Sequence, residues 1–192
     1  VRDVTAAFEA YDVTTAGRAI EDFVDELSNW YVRRNRRRFW KSEHDRDKQA
    51  AYATLYTCLV TVAKLAAPFI PFVAEAIYRN LVGLETQEAS SDTPESVHLA
   101  AWPVVNEAFL DDRLVDDTEV LLKAVSVGRA ARRAAGIKVR QPLREMWVRA
   151  PTPAALEGLR RFEAELREEL NVKEVRYLDS ATSLVEYRFK PN

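Results

Sequence analysis

The sequence predicts a mainly α protein: an antiparallel helix bundle followed by a small α/β unit. Three observations carry that expectation. Only 5 glycines occur in 192 residues, and long stretches place apolar residues at helical spacing. Pro68, Pro71, Gly83 and Gly136 punctuate those stretches where helices should stop. After Pro142 the period changes, and short runs rich in β-branched and aromatic residues flank one amphipathic segment.

Each element has a local cause. Residues 3–13 read as the end of an earlier element, with Val4, Phe8 and Tyr11 loosely spaced. Asp12, Thr14 or Thr15 offers an oxygen to orphan N–H groups and so caps the first long helix, expected over 15–40. Its apolar stripe is Ile20, Phe23, Val24, Leu27 and Tyr31. After a polar break from Ser42 to Asp47, a second helix is expected over 46–66, with Tyr52, Leu55, Tyr56, Leu59, Val62, Ala63 and Ala66 on one inner face. Pro68 and Pro71 end it, because proline lacks an N–H and disfavours helix in its predecessor. Phe72, Ala76, Ile77 and Leu81 then make a short third helix, with Gly83 available as its stop. Residues 84–96 form a polar loop, and Val97 to Pro103 is an extended run that lays Trp102 onto the bundle. The fourth helix, over 111–135, carries Leu114, Leu121, Leu122 and Val125 inward and ends at Gly136. Beyond it, Met146–Ala150 reads as a strand, Pro153–Leu170 as a helix, and Val172–Leu178 and Leu184–Phe189 as two further strands. We place the domain boundary between 142 and 143, giving a helical bundle over 1–142 and a strand–helix–strand–strand unit over 143–192. Both ends read as cut from a longer chain.

Composition excludes several classes. A hydrophobic content of 47% and a charged content of 30% describe an ordinary globular protein. The single cysteine, Cys58, rules out an internal disulfide or a multi-cysteine zinc site, and its apolar surroundings predict a packing role. No apolar run has the length of a membrane span. The two histidines, His44 and His98, stand in no catalytic or metal-binding pattern, and we expect no catalytic residue and no metal here. The net charge of −2 conceals segregation: residues 85–119 carry ten acids against Arg113 alone, and residues 120–144 carry seven cations and no acid.

The densest chemistry lies in Ser28 to Lys41, which packs six cations among four aromatic residues. On a helix, Arg33, Arg36, Arg37 and Trp40 share the face opposite the apolar stripe, while Arg34 and Arg38 fall on the core side. Guanidinium groups neutralise phosphates and flat side chains stack on unpaired bases, so this face suits single-stranded nucleic acid. A plainer reading stands beside it. Cations near a helix C-terminus complement the macrodipole, and Glu43, Asp45 and Asp47 are available as partners. A second basic cluster, Arg129, Arg132, Arg133, Lys138 and Arg140, has no aromatic companion, so macrodipole complementarity and pairing to the acidic loop weigh more there.

The run Glu26 to Arg34, continued by Arg36-Arg37-Arg38-Phe39-Trp40, resembles a signature of the isoleucyl-type class I aminoacyl-tRNA synthetases. The likeness continues, in order, through Ala51–Tyr56, Ala67–Glu75, Ser96–Leu99 with Trp102-Pro103, Lys138–Leu143, Leu170–Lys173 and the closing Pro191-Asn192. Valyl, leucyl and methionyl relatives share the Pro-Phe pattern of the bundle. The resemblance implies the class I anticodon-binding domain fold, from an enzyme that activates isoleucine with ATP and Mg and loads it onto tRNA(Ile) in the cytoplasm. The active-site signatures of that class are absent, so no cofactor is expected in this stretch and catalysis is expected from another domain of the same polypeptide. The partners implied are the anticodon stem-loop of tRNA(Ile) and that catalytic domain, with neither DNA nor membrane. The candidate tRNA-binding residues are Trp30, Arg33, Arg36, Arg37, Trp40 and Lys41, with Arg132, Arg133, Lys138 and Arg140 for the RNA stem or for docking the catalytic domain. Two rivals stay open: a valyl- or methionyl-type anticodon-binding domain, and a helical protein-binding scaffold.

Overall fold

The computed structural model describes residues 1–40, 45–86 and 88–178. Helices dominate, with one small sheet near the C-terminal end. The chain divides into two compact units, Val1–Glu107 and Ala108–Asn192.

In the first unit, α1 (Arg2–Glu9) runs to Tyr11, whose φ of 58° turns the chain sharply. Asp12 caps α2 (Val13–Glu26): it accepts the Thr15 N–H at 2.9 Å and the Thr15 hydroxyl at 2.6 Å. The expected single helix over 15–40 is interrupted. Leu27–Val32 is a π-helical turn, and α3 (Arg36–Trp40) follows it. A π turn carries an extra residue, so everything beyond it is rotated relative to a 100° wheel. Of the expected apolar stripe, Leu27 is buried and Ile20 and Tyr31 are half-buried, but Phe23 and Val24 are exposed.

Helix α4 (Arg46–Ala66) has the bounds read from the sequence and is capped by Asp45, which accepts the Lys48 N–H at 2.8 Å. Of its expected face, Ala63 and Ala66 are buried and Leu55, Leu59 and Val62 half-buried, but Tyr52 and Tyr56 are exposed, and Ala51 and Leu65 are buried beside them. In α5 (Pro71–Leu81) Ala74 and Tyr78 are buried, while Phe72 is 89% exposed and Ile77 is also exposed. The cause is size. The core clusters contain Ala7, Ala16, Ala63, Ala67 and Ala74, which draw the helix backbones close and leave large side chains to the flanks. Polar ties then select the inward face of α5. Glu75 accepts the Ser96 hydroxyl at 2.9 Å and the Val97 N–H at 2.8 Å, and the Tyr78 hydroxyl donates to the Pro94 carbonyl. Trp102 lies on α1, with its indole N–H 2.9 Å from the Thr5 hydroxyl and its ring edge-on to Phe8.

The second unit begins with α6 (Asp112–Ala134), capped by Asp111 at the Leu114 N–H. Leu121 and Val125 are buried, Leu122 is half-buried, and Leu114 faces out. Strand β1 (Leu143–Val148) pairs in parallel with β2 (Val172–Tyr177), from Leu143 opposite Val172 to Val148 opposite Tyr177. The helix expected over 153–170 is two, α7 (Pro153–Arg161) and α8 (Glu163–Leu170), divided at Phe162. Leu159, Leu166 and Leu170 form the centre of the unit, and α6 packs on α7 and α8. By packing, α6 therefore travels with the strands. The strand expected over Leu184–Phe189 lies outside the described residues.

Candidate nucleic-acid interface

Three aromatic rings seat α3 on α4. Tyr31, Phe39 and Tyr52 meet edge to face, with centroids 6.3 and 5.2 Å apart, and Phe39 is buried. Hydroxyls complete the seat: Tyr31 donates to the Ala51 carbonyl and Tyr52 to the Phe39 carbonyl. Asn35, where the helix is interrupted, bonds both ways. Its amide donates to the Tyr31 carbonyl at 2.8 Å and its oxygen accepts from Arg38 at 2.8 Å. Arg38 continues to Asp47, pairing with the carboxylate at 2.7 Å and donating to its carbonyl at 3.1 Å. This contact staples α3 to the first turn of α4.

With that side occupied, the other side of α3 faces water. Arg33, Arg36 and Arg37 are exposed, and Trp40 is 74% exposed. Arg36, Arg37 and Trp40 share α3, beyond the π turn and the break at Asn35, so they are rotated together. The Arg36 guanidinium sits 4.5 Å from the centre of the Trp40 ring, which steadies an exposed indole by about 0.5–1 kcal/mol. Arg33 returns its Nε to the Asn29 carbonyl in the π turn at 2.8 Å. Trp30 stands apart from this group, half-buried with the Arg34 guanidinium over its ring. Lys41 lies outside the described residues.

The second basic cluster is not one surface. Arg132 is only 5% exposed. Its Nη2 donates to the Lys138 carbonyl at 2.7 Å and also to the carbonyls of Val139 and Gln141. Arg132 thus holds the loop that follows α6 from inside, which removes it from the outward-facing candidates. Arg133, Lys138 and Arg140 remain exposed, while Arg129 pairs with Glu169. Asn171, a residue our sequence reading assigned no role, grips the same loop from the other side. Its amide donates to the carbonyls of Val139 and Arg140 at 3.0 and 3.1 Å. A signal existed: asparagine between a helix and a strand is suited to the left-handed conformation it takes here, with φ 49°.

Among the described residues no group of three or more His, Cys, Asp or Glu could hold a metal. Burial pushes the Cys58 thiol up, which disfavours the reactive thiolate. No helix among the described residues is long and apolar enough to cross a membrane.

A family model for the anticodon-binding domain of tRNA ligase matches residues 1–146. The isoleucine--tRNA ligase of Thermus thermophilus is 53% identical over 193 aligned positions, covering all of this chain and 18% of the relative. That of Deinococcus radiodurans is 50% identical over the whole chain and 17% of the relative. One from Dehalococcoides mccartyi is 55% identical over 90% of the chain and 17% of the relative. The chain therefore spans less than a fifth of the length of these relatives. Helices seated on one another with cations left to the solvent, and a family match over most of the sequence, lead to one conclusion: the chain belongs to the anticodon-binding domain family of tRNA ligases, of the isoleucine--tRNA ligase kind.

Proposed function

We propose that this chain grips the anticodon stem-loop of tRNA(Ile) through the outer side of α3. Arg33, Arg36, Arg37 and Lys41 take phosphates or base edges, Trp40 stacks on a splayed anticodon base, and Trp30 is a further tRNA contact. The observation that carries the reading is the exposure of Arg36, Arg37 and Trp40 together, on a short helix whose opposite side is stapled to α4. An indole left 74% exposed contributes nothing to the core, whereas an unpaired base needs a flat partner.

In this reading residues 1–142 form the RNA-binding part, and the remainder joins it to the rest of a longer polypeptide. Activation of isoleucine with ATP and Mg, and its transfer to tRNA in the cytoplasm, belong to a catalytic domain outside this stretch, which is the chain's second partner. The decisive experiment is a panel of anticodon stem-loops carrying single-base changes, titrated against the full-length protein. The isoleucine anticodon should bind best, and changes within the anticodon should weaken binding more than changes in the stem. Equal affinity across the panel defeats the proposal.

A further inference from the structure

The loop between α6 and β1 is held in an unusual way. Gly136 turns the chain with φ 68°, and the Gln141 N–H closes a turn on the Lys138 carbonyl at 3.0 Å. Four consecutive residues or near neighbours, Lys138, Val139, Arg140 and Gln141, have their carbonyls engaged by only two side chains, Arg132 and Asn171. The Leu143 N–H then bonds the Asn171 carbonyl at 3.0 Å, so the loop is tied to the α8–β2 junction at its exit as well. A short surface loop rarely receives this much support for its own sake.

The clamp has an electrostatic consequence. With the carbonyl dipoles drawn inward onto a buried guanidinium and an amide, the side chains of Lys138 and Arg140 are exposed, as is Arg133 at the end of α6. Among the described residues no acid pairs with any of the three. Residues 120–144 contain no acid at all. Uncompensated cations on a backbone that is already fixed suit a phosphate-binding surface, because little loop freedom is then lost on binding. No aromatic residue lies in the loop, so stacking on bases has no platform and the contact is with the backbone.

We infer that the loop 136–142 is a preformed binding element for RNA phosphates, with Arg133, Lys138 and Arg140 as its contacts and Arg132 and Asn171 as its positioning residues. This rests on the reading that the chain binds tRNA, and it adds a site that does not read the anticodon. Asn171 offers a clean test. Asn171→Gly keeps the left-handed backbone comfortable and deletes only the amide.

The experiment titrates a tRNA(Ile) transcript against the full-length protein at several salt concentrations. The double variant Lys138→Gln/Arg140→Gln should weaken binding about tenfold and lower the salt slope by about two. Asn171→Gly should weaken it at least about threefold in the native background and have no further effect in the double variant, since a positioning residue acts only through what it positions. Unchanged affinity and slope in the double variant overturn the inference. An equal loss from Asn171→Gly in both backgrounds overturns the positioning role, because a general loss of stability would act in both. If Asn171→Gly does not fold, Asn171→Asp replaces the donors with acceptors at the same carbonyls and must show the same dependence on background. Trp40→Ala separates this inference from the anticodon reading. If it weakens binding while the double variant does not, only the loop is wrong; if the double variant alone weakens binding, the anticodon flank is wrong and the loop stands.

Discussion

At the scale of single residues, the arginines are chemically identical and have different occupations. Arg132 is spent on loop carbonyls, Arg38 on Asp47 and Asn35, and Arg36 on an indole that itself faces water. Replacing Trp40 by Ala should cost about 1–3 kcal/mol of tRNA binding, with the salt dependence unchanged because no phosphate contact is lost. Replacing Arg36 by Glu should weaken binding and flatten the salt dependence. Titration at three or more salt concentrations distinguishes the two, and a pair of variants that both kept native affinity would remove α3 from the interface. Arg38→Met is expected to act differently, lowering the unfolding midpoint by removing the Asn35 and Asp47 contacts that tie α3 to α4 before it affects any contact with RNA.

Elements meet at close tolerances in the second unit. A Cβ at Gly128 in α6 would lie 2.4 Å from the Cδ1 of Leu170, a fully buried side chain in α8. A Cβ at Gly158 in α7 would meet the Asp117 carboxylate of α6 at 2.7 Å, where Arg161 already pairs with it. Gly128→Ala should therefore destabilise by about 1–3 kcal/mol in urea unfolding, although alanine favours helix, because overpacking outweighs propensity. A pH dependence belongs to the same unit. Burial, and then the Glu163 carboxylate, push the Tyr177 phenol from its ordinary 10.0 up to about 12. The folded state thus retains a proton that the unfolded chain releases, so this contribution is intact below about pH 10 and is lost as pH rises toward 12. Unfolding midpoints measured across that window should fall with pH, and Tyr177→Phe should shallow the decline.

For the whole molecule, bulk charge is a poor guide. A chain with net charge −2 and a pI near 5.9 is not an obvious RNA binder. The relevant quantity is local: acids concentrate in 85–119, and the two cation groups lie elsewhere in sequence. Affinity for tRNA should therefore fall steeply with salt despite the negative total, by an order of magnitude or more between about 50 and 200 mM. A scaffold binding protein through apolar surface would show little salt dependence, and that result would revive the rival reading.

Much was legible without coordinates. Helix α4 could be bounded, Asp12 named among the caps, and the change of period after Pro142 recognised, because caps and periodicity depend on residues a few positions apart. The exposure of Arg36, Arg37 and Trp40 was legible for the same reason: they stand within one short helix, one to four residues apart. What needed the folded chain was every choice made between distant residues. Alanines, Ala63 of the predicted face among them, occupy many of the helix contacts while Tyr52 and Tyr56 of that face stay outside, because backbones approach closely there. Arg132 turns inward because the loop bends its carbonyls back over it, and Asn171, 32 residues beyond Val139, reaches the same loop through the packing of α8 and β2 beside it. Sequence alone specified which side chains carry charge and on which turn of helix; only the tertiary structure decided which of those charges remained available to a partner, since that depends on what else the fold brings within about 3 Å.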